Sequence, residues 1–258
     1  MYGIVEPMAR EASGRGDPAA VLALLWGVEE AGPRRGRRPG LSVDEIVRSA
    51  IELADRDGLD AVTMRRLAET VGVGAMALYT YVPGKAELLD LMLDRVYADM
   101  AHAEWPDDWR DRVAAVAGEN RALYEAHPWA AAVSTGRPPL GPGLLTKYER
   151  ELAALEGLGL DDVEIDAALT FVLDFVRAAA LAAHDAEATR RDTGLTDEQW
   201  WAASAPFLER ALDPGAYPTA ARVGSAAGAA HGGAYSPDHA WTFGLERVLD
   251  GLAALVDG

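Results

Sequence analysis

The chain has no cysteine among its 258 residues. That absence excludes disulfide staples, thiolate metal sites and a cysteine nucleophile, and it suits a reducing cytoplasm. Strand signatures are missing too, because no β-branched run alternates with polar residues at a period of two. Long hydrophobic runs are scarce. The longest near the N-terminus, "AAVLALLWGV" at 19–28, follows Asp17-Pro18, lacks a basic stretch before it and runs into Glu29-Glu30. It does not read as a secretory leader, and nothing reaches the ~20 residues of a membrane span. The expected location is cytoplasmic, with no membrane partner. Positive charge is also short: 24 basic against 41 acidic side chains leave a net charge of −17, which argues against coating a polyanion by bulk attraction.

The distribution of charge says more than its sum. Residues 34–90 carry nine basic and nine acidic side chains, whereas 91–258 carry thirteen basic and twenty-seven acidic. The first third is the part least repelled by nucleic acid, and "RRGRR" at 34–38 is its positive tip. Half of the chain is apolar, which suits a protein that folds around a core.

Helical phrases fill the chain. Ser42 followed by Glu45 forms a capping box, and Val43, Ile46, Val47, Ala50, Ile51 and Ala54 recur at helical spacing until Gly58. Further phrases run from Thr63 to Val71, from Gly74 to Val82 and from Lys85 to about Ala103, the last with Leu88, Leu89, Met92 and Val96 on one side. A long helix is expected after Trp105-Pro106 to about His127, a short one from Pro128, and another through Tyr148 to Leu155. The stretch 161–184 is apolar nearly all round and must be buried on more than one side. The segment 192–238 reads as looser, with "GSAAGAAHGG" as a flexible linker rather than a phosphate loop, since no strand precedes it and no Lys-Ser/Thr follows. A last helix runs from His239 to Val256. The expected fold class is all-α.

Within 63–82, Met64, Leu67, Ala68 and Val71 make one apolar stripe and Val73, Leu78 and Val82 another, with Gly72 at the tight turn between them. Helices this short are marginal alone. Packed on each other and on the Ser42 helix they form a three-helix unit, either an ordinary helical hairpin or a helix-turn-helix.

The residues "TMRRLAETVGVGAMALYTYVPGKAELLD", after the capped helix "LSVDEIVRSAIELADRDGLDAV", resemble the DNA-binding domain of the tetracycline-repressor (TetR) family. "EAHPWAAAV", the apolar helix before His184 and "AWTFGLERVLDGLAALV" at 240–256 resemble the ligand-binding and dimerisation domain of the tetracycline repressors proper. The resemblance implies an extension with a basic arm at 1–39, a helix-turn-helix domain at 40–102 with its motif at about 63–82, and a ligand-binding and dimerisation domain at 103–258. It implies a transcriptional regulator, most plainly a homodimeric repressor on palindromic duplex DNA, nucleoid-associated when bound, that a small-molecule effector releases.

In such a domain the second helix of the motif enters the major groove with its first residues at base edges. Those positions are Gly74, Ala75, Met76 and Ala77, with Thr80 a turn on, and small apolar side chains let the helix seat deeply. Arg65 matches a base-reading arginine of the family. Thr63 can cap its helix and face a phosphate. Tyr79 and Tyr81 are either phosphate donors or core, and Lys85 opens a helix where a phosphate would compensate its charge. Arg34, Arg35, Arg37 and Arg38 form the arm, for phosphate or minor-groove contact.

In the second domain the resemblance points to Trp129, Val133, Tyr148, Phe171, Asp174, Phe175 and Trp201 as pocket residues, with core packing the competing role for each aromatic. Asp174 and Arg177 either orient a ligand or pair with each other. The resemblance also implies that the helices at 161–190 and 239–256 pair with their copies in a second subunit through Ile165, Leu169, Val172, Val176, Leu245, Val248, Leu249 and Leu252. One departure matters. Where the tetracycline repressors place a magnesium-binding histidine this chain has Val133, and Gly136 stands where a threonine is usual. A valine side chain offers no magnesium ligand, so a hydrophobic or aromatic effector and no cofactor are expected. Two alternatives stand: a TetR-like dimer with weak DNA affinity that binds a ligand or partner, and an enzyme in a helical pocket, for which no "G-x-S-x-G" or "H-E-x-x-H" is present.

Overall fold

The computed structural model describes residues 11–28 and 41–256, and among these twelve α-helices and one 3-10 turn follow one another. No strand forms among the described residues beyond an isolated parallel bridge between Ala12 and Ser134. The arginines Arg34, Arg35, Arg37 and Arg38 lie outside the described residues.

Helix α1 (Pro18–Leu25) is capped by Asp17 and precedes α2 (Val43–Asp57). The capping box is complete, with Glu45 N donating to Ser42 Oγ at 3.1 Å and Ser42 N donating to Glu45 Oε2 at 2.8 Å. Gly58 ends the helix at φ +83, a backbone conformation that favours glycine. A 3-10 turn (Leu59–Ala61) leads into α3 (Met64–Thr70), α4 (Ala75–Leu78) and α5 (Lys85–Ala98). Gly72, at φ +71, makes the turn between α3 and α4. The reading helix is shorter than its sequence phrase, since only 75–78 are α-helical and the chain then closes through Leu78 O, which accepts from Tyr81 N and Val82 N.

One core holds this unit together. Ile46, Ala50 and Leu53 of α2 meet Leu67 and Ala68 of α3, Leu78, Tyr81 and Val82 around α4, and Leu88, Leu89 and Met92 of α5. Leu123, Trp129, Ala130 and Val133 from beyond residue 103 belong to the same cluster, so the motif rests directly on the C-terminal part of the chain.

That part contains α6 (Trp109–Ala126), α7 (Pro128–Ala132), α8 (Pro142–Ala153), α9 (Asp162–Thr193), α10 (Asp197–Ala211), α11 (Pro218–His231) and α12 (Pro237–Val256). A second core joins Val113, Val116 and Ala117 of α6, Ala168, Leu169, Val172 and Val176 of α9, and Val248, Leu249 and Leu252 of α12. The segment 192–238 is a correction to the sequence reading. It holds two helices, and "GSAAGAAHGG" lies mostly inside α11, started by Pro218 and stopped by Gly232 at φ +66. Gly228 is used for packing, because a Cβ there would meet the Trp201 ring. Helix α10 buries none of its residues and leaves Trp200, Phe207 and Leu208 exposed.

Helix α5 joins the two parts through a face the hydrophobic pattern does not mark. Glu87, Asp90 and Asp94, at i, i+3 and i+7, are all buried. Asp90 accepts from Gly14 N at 3.0 Å, and Asp94 accepts from Leu144 N at 2.8 Å and Gly143 N at 3.1 Å. Gly143 allows this approach, since a Cβ on it would overlap the Asp94 carbonyl oxygen. Burial raises the pKa of both aspartates above the usual carboxylate range, against the opposing pull of these backbone donors.

Candidate nucleic-acid interface and effector site

The α3–turn–α4 unit presents a polar rim around a bare helix. Thr63 caps α3, its Oγ1 accepting from Arg66 N at 3.2 Å. Arg66 turns to Asp57 at 2.5 Å, which leaves Arg65 as the freer guanidinium. Its side chain is 86% exposed, in a loose 3.6 Å pair with Glu69 that a stronger anion can displace. Gly74 forms the N-cap of α4 without a side-chain cap bond, and Ala75 follows it, exposed. Met76 is 81% exposed, an unusual place for a large apolar side chain, while Ala77 is half-buried and Leu78 faces the core. Tyr79 is exposed. The Thr80 hydroxyl donates to Ala77 O at 2.7 Å and helps close the helix.

Two candidate residues of this region have partners within the chain. Tyr81 is 1% exposed within the first core, so its ring is packing and not a groove contact. Lys85 does open α5, but its Nζ sits 2.7 Å from Glu11 Oε1, in an ion pair with the N-terminal segment.

The seven candidate pocket residues lie in different surroundings, and none of them lines the cleft between α6, α9 and α12. Trp129 is buried and its indole N–H donates to Asp55 of α2 at 2.7 Å, an anchor between the motif and α7. Val133 is buried, and its carbonyl, with that of Ala131, accepts from Arg177 at 2.9 and 2.8 Å. Arg177 thus clamps the end of α7, while Asp174 is exposed. Tyr148 is exposed and donates to Asp166 at 2.6 Å. Phe171 is exposed on α9, Phe175 stacks on Trp241 at 5.6 Å, and Trp201 packs beside Gly228.

The C-terminal part does hold a cleft of about 240 Å³, between α6, α9 and α12. Tyr124, Pro128, Ala180 and Trp241 give it apolar walls, and Arg121 and His184 stand among them. Arg121 lies over the Trp241 ring at 4.9 Å and is bonded to Glu125 at 2.7 Å and Asp238 at 3.0 Å. Beside α6 and α8 lies a buried polar cluster that the sequence reading missed. Lys147 and Glu151, with side chains only 7% and 4% exposed, pair at 2.6 Å. Asn120 Nδ2 donates to Glu151 Oε1 at 2.6 Å, and its own Oδ1 accepts no hydrogen bond from the described residues. Burial pushes the Tyr97 phenol well above its ordinary value and Tyr124 up to about 12; the Glu151 charge adds to both shifts and Arg177 opposes them. The signal in the sequence was the i, i+4 spacing of Lys147 and Glu151, which also fits an ordinary surface pair.

A short capped helix, a glycine turn and a second helix with an exposed, uncharged start define a helix-turn-helix regulator, here joined to a helical domain with a cleft. Comparison with known proteins agrees. Residues 46–92 match the family described as bacterial regulatory proteins, tetR family, and residues 103–256 match the tetracyclin repressor-like, C-terminal domain. The chain is 41% identical over 252 residues to the HTH-type transcriptional repressor DrrR1 of Streptomyces coeruleorubidus, covering 95% of this chain and 89% of that one. It is 29% identical to the tetracycline repressor protein class A from transposon 1721 of Escherichia coli, over 83% of this chain and 91% of that one. Apo ActR from Streptomyces coelicolor superposes with a TM-score of 0.69 at 28% identity, covering 86% of this chain and 99% of that one. ActR in complex with actinorhodin gives a TM-score of 0.70 at the same 28% identity, covering 84% of this chain and 97% of that one.

The protein belongs to the TetR family of transcriptional regulators. By family it is a DNA-binding transcriptional regulator and not an enzyme, so the helical-pocket enzyme falls away. Among the described residues no helix is long and apolar enough to cross a membrane.

Proposed function

We propose that the protein acts as a homodimer on a palindromic operator, reading bases with Arg65 and the start of α4 and holding phosphates with Thr63, Tyr79 and Lys85. The observation that carries this reading is the exposed, uncharged surface of Ala75 and Met76 beside the loosely held guanidinium of Arg65. A helix without charged side chains at its tip can enter a groove about as wide as itself, where an apolar group meets thymine methyls. The domain division at residues 40–102 and 103–258 belongs to the same reading.

The effector is a hydrophobic or aromatic small molecule, supported by the apolar cleft around Tyr124 and Trp241. The solved complex of ActR with actinorhodin supports a small-molecule effector in general terms. Dimerisation uses the outward faces of α9 and α12, where Val163, Phe171, Phe243 and Leu255 are exposed apolar side chains. Gly251 leaves open space for a close helix approach on α12.

Retardation of DNA from upstream of the protein's own gene tests the reading. Arg65→Ala should weaken binding by ~1–3 kcal/mol and relax the preference at one base pair. Lys85→Ala should weaken binding on all sequences alike and flatten its salt dependence. If neither substitution changes binding, the reading surface lies elsewhere.

A further inference from the structure

The segment before α1 is docked like a strap. Ser134 N donates to Glu11 O and Ser13 N to Ser134 O, both at 3.0 Å. The Ser13 hydroxyl donates to Arg137 O at 2.6 Å and is buried there. Gly14 takes φ +67 against Arg137, where no side chain would fit, and passes its N–H to Asp90 of α5. Asp17 N donates to Glu87 Oε1 at 3.2 Å before it caps α1. Further on, the Trp26 indole donates to Leu140 O at 2.9 Å. Residues 11–17 thus bind the loop at 134–137 and helix α5 together, and the backbone bonds hold Glu11 in place over the start of α5.

There Glu11 meets Lys85 at 2.7 Å. We infer that this strap is a built-in competitor of the operator: the Glu11 carboxylate occupies, in the DNA-free protein, the ammonium group that would otherwise hold a phosphate. The inference rests on the role proposed above for Lys85. Carboxylate and phosphate oxygens offer a lysine the same kind of charge-assisted hydrogen bond. Lys85 sits at the positive end of a helix dipole, where a cation gains from any adjacent anion. The strap supplies that anion at a high effective concentration, because its backbone is already fixed to Ser134 and Asp90. Both side chains remain about one third exposed, 32% for Lys85 and 34% for Glu11. An ion pair so exposed is weak, so a phosphate can displace it, and Glu11 lowers operator affinity without abolishing it.

The test compares the wild type with single and double variants on promoter DNA that the wild-type chain retards, measured across a salt series. Glu11→Gln keeps the size and the backbone bonds of the strap and removes the charge. It should tighten binding about two- to fivefold at low salt, the range of an exposed ion pair. The salt slope should steepen by about one ion, with an unchanged melting temperature. In a Lys85→Ala background the same change should do nothing. No gain on Glu11→Gln overturns the strap, and so does an equal gain in the Lys85→Ala background, which would mark a general charge effect. The Arg65→Ala protein separates the two failures. If it loses binding while Glu11→Gln gains none, only the strap is wrong; if it binds as wild type, the assigned reading surface is wrong.

Discussion

Among single residues, Met76 is the plainest mark of function. A large thioether 81% exposed to water on a four-residue helix has no packing role there, and in the proposed reading contact with thymine methyls or sugars gives it one. Met76→Glu should leave the melting temperature nearly unchanged and abolish operator retardation, because it sets a carboxylate against a phosphate-lined groove. Asp94 shows the opposite, a carboxyl group turned inside. Burial raises its pKa, and the amides of Leu144 and Gly143 only partly offset that. The folded chain therefore keeps this proton to a higher pH than the unfolded chain does. Its contribution is most favourable below the ordinary carboxylate range and is lost as pH rises through the raised value. Urea unfolding at a series of pH values should show this decline in the wild type and a flatter curve for Asp94→Asn. Asp94→Ala, which orphans two backbone donors, should lose about 1–3 kcal/mol.

At the scale of elements, α5 is the shared beam. Its Leu88, Leu89 and Met92 face the helix-turn-helix core, and its Glu87, Asp90 and Asp94 receive backbone N–H groups from the strap and from the start of α8. The contact between α5 and α8 is close enough that a methyl group on Gly143 has no room beside the Asp94 carbonyl. Gly143→Ala should cost about 1–3 kcal/mol by forcing the two helices apart, read as a lowered melting temperature. If stability is unchanged, α8 does not lie as closely on α5 as described. Helix α4 differs from its sequence phrase in an instructive way. Residues 74–82 carry a helical hydrophobic pattern, yet only one turn is α-helical, since Leu78, Tyr81 and Val82 reach the core as well from a closing turn. Periodicity marks which side chains go inward; it does not tell an α-helix from tighter turns that put the same residues inside.

For the whole molecule, the question is which apolar faces remain after one chain has folded. The residues expected at the dimer interface are mostly buried within the protomer: Leu169, Val172, Val176, Val248, Leu249 and Leu252 form the second core against α6, with Ile165 and Leu245 packed at its edge. What remains outward on α9 and α12 is Val163, Phe171, Phe243 and Leu255, and on α10 Trp200, Phe207 and Leu208. Two-fold association would bury such a face. Phe171→Glu together with Phe243→Glu should convert a dimer into monomers by sedimentation and remove operator binding, because one reading unit alone spans half a palindrome. A wild-type chain that sediments as a monomer at micromolar concentration would refute the dimer.

Much of this is legible in the amino-acid sequence alone. Ser42 with Glu45, Gly58, Thr63 and Gly72 specify helix boundaries through local hydrogen bonds and local backbone angles, so neighbours in sequence suffice to read them. The all-α class and the uncharged tip of α4 follow from the same short-range pattern. Tertiary structure decided what depends on partners far along the chain. It sent Tyr81 inward and turned Trp129 into a hydrogen-bonded anchor on Asp55, 74 residues away. It also placed Glu11 on Lys85, and it chose which of two apolar faces on α9 and α12 the protomer keeps for itself. A helix that is apolar all round carries no mark of which side its own chain will cover; only the packing of α6 against it settles that.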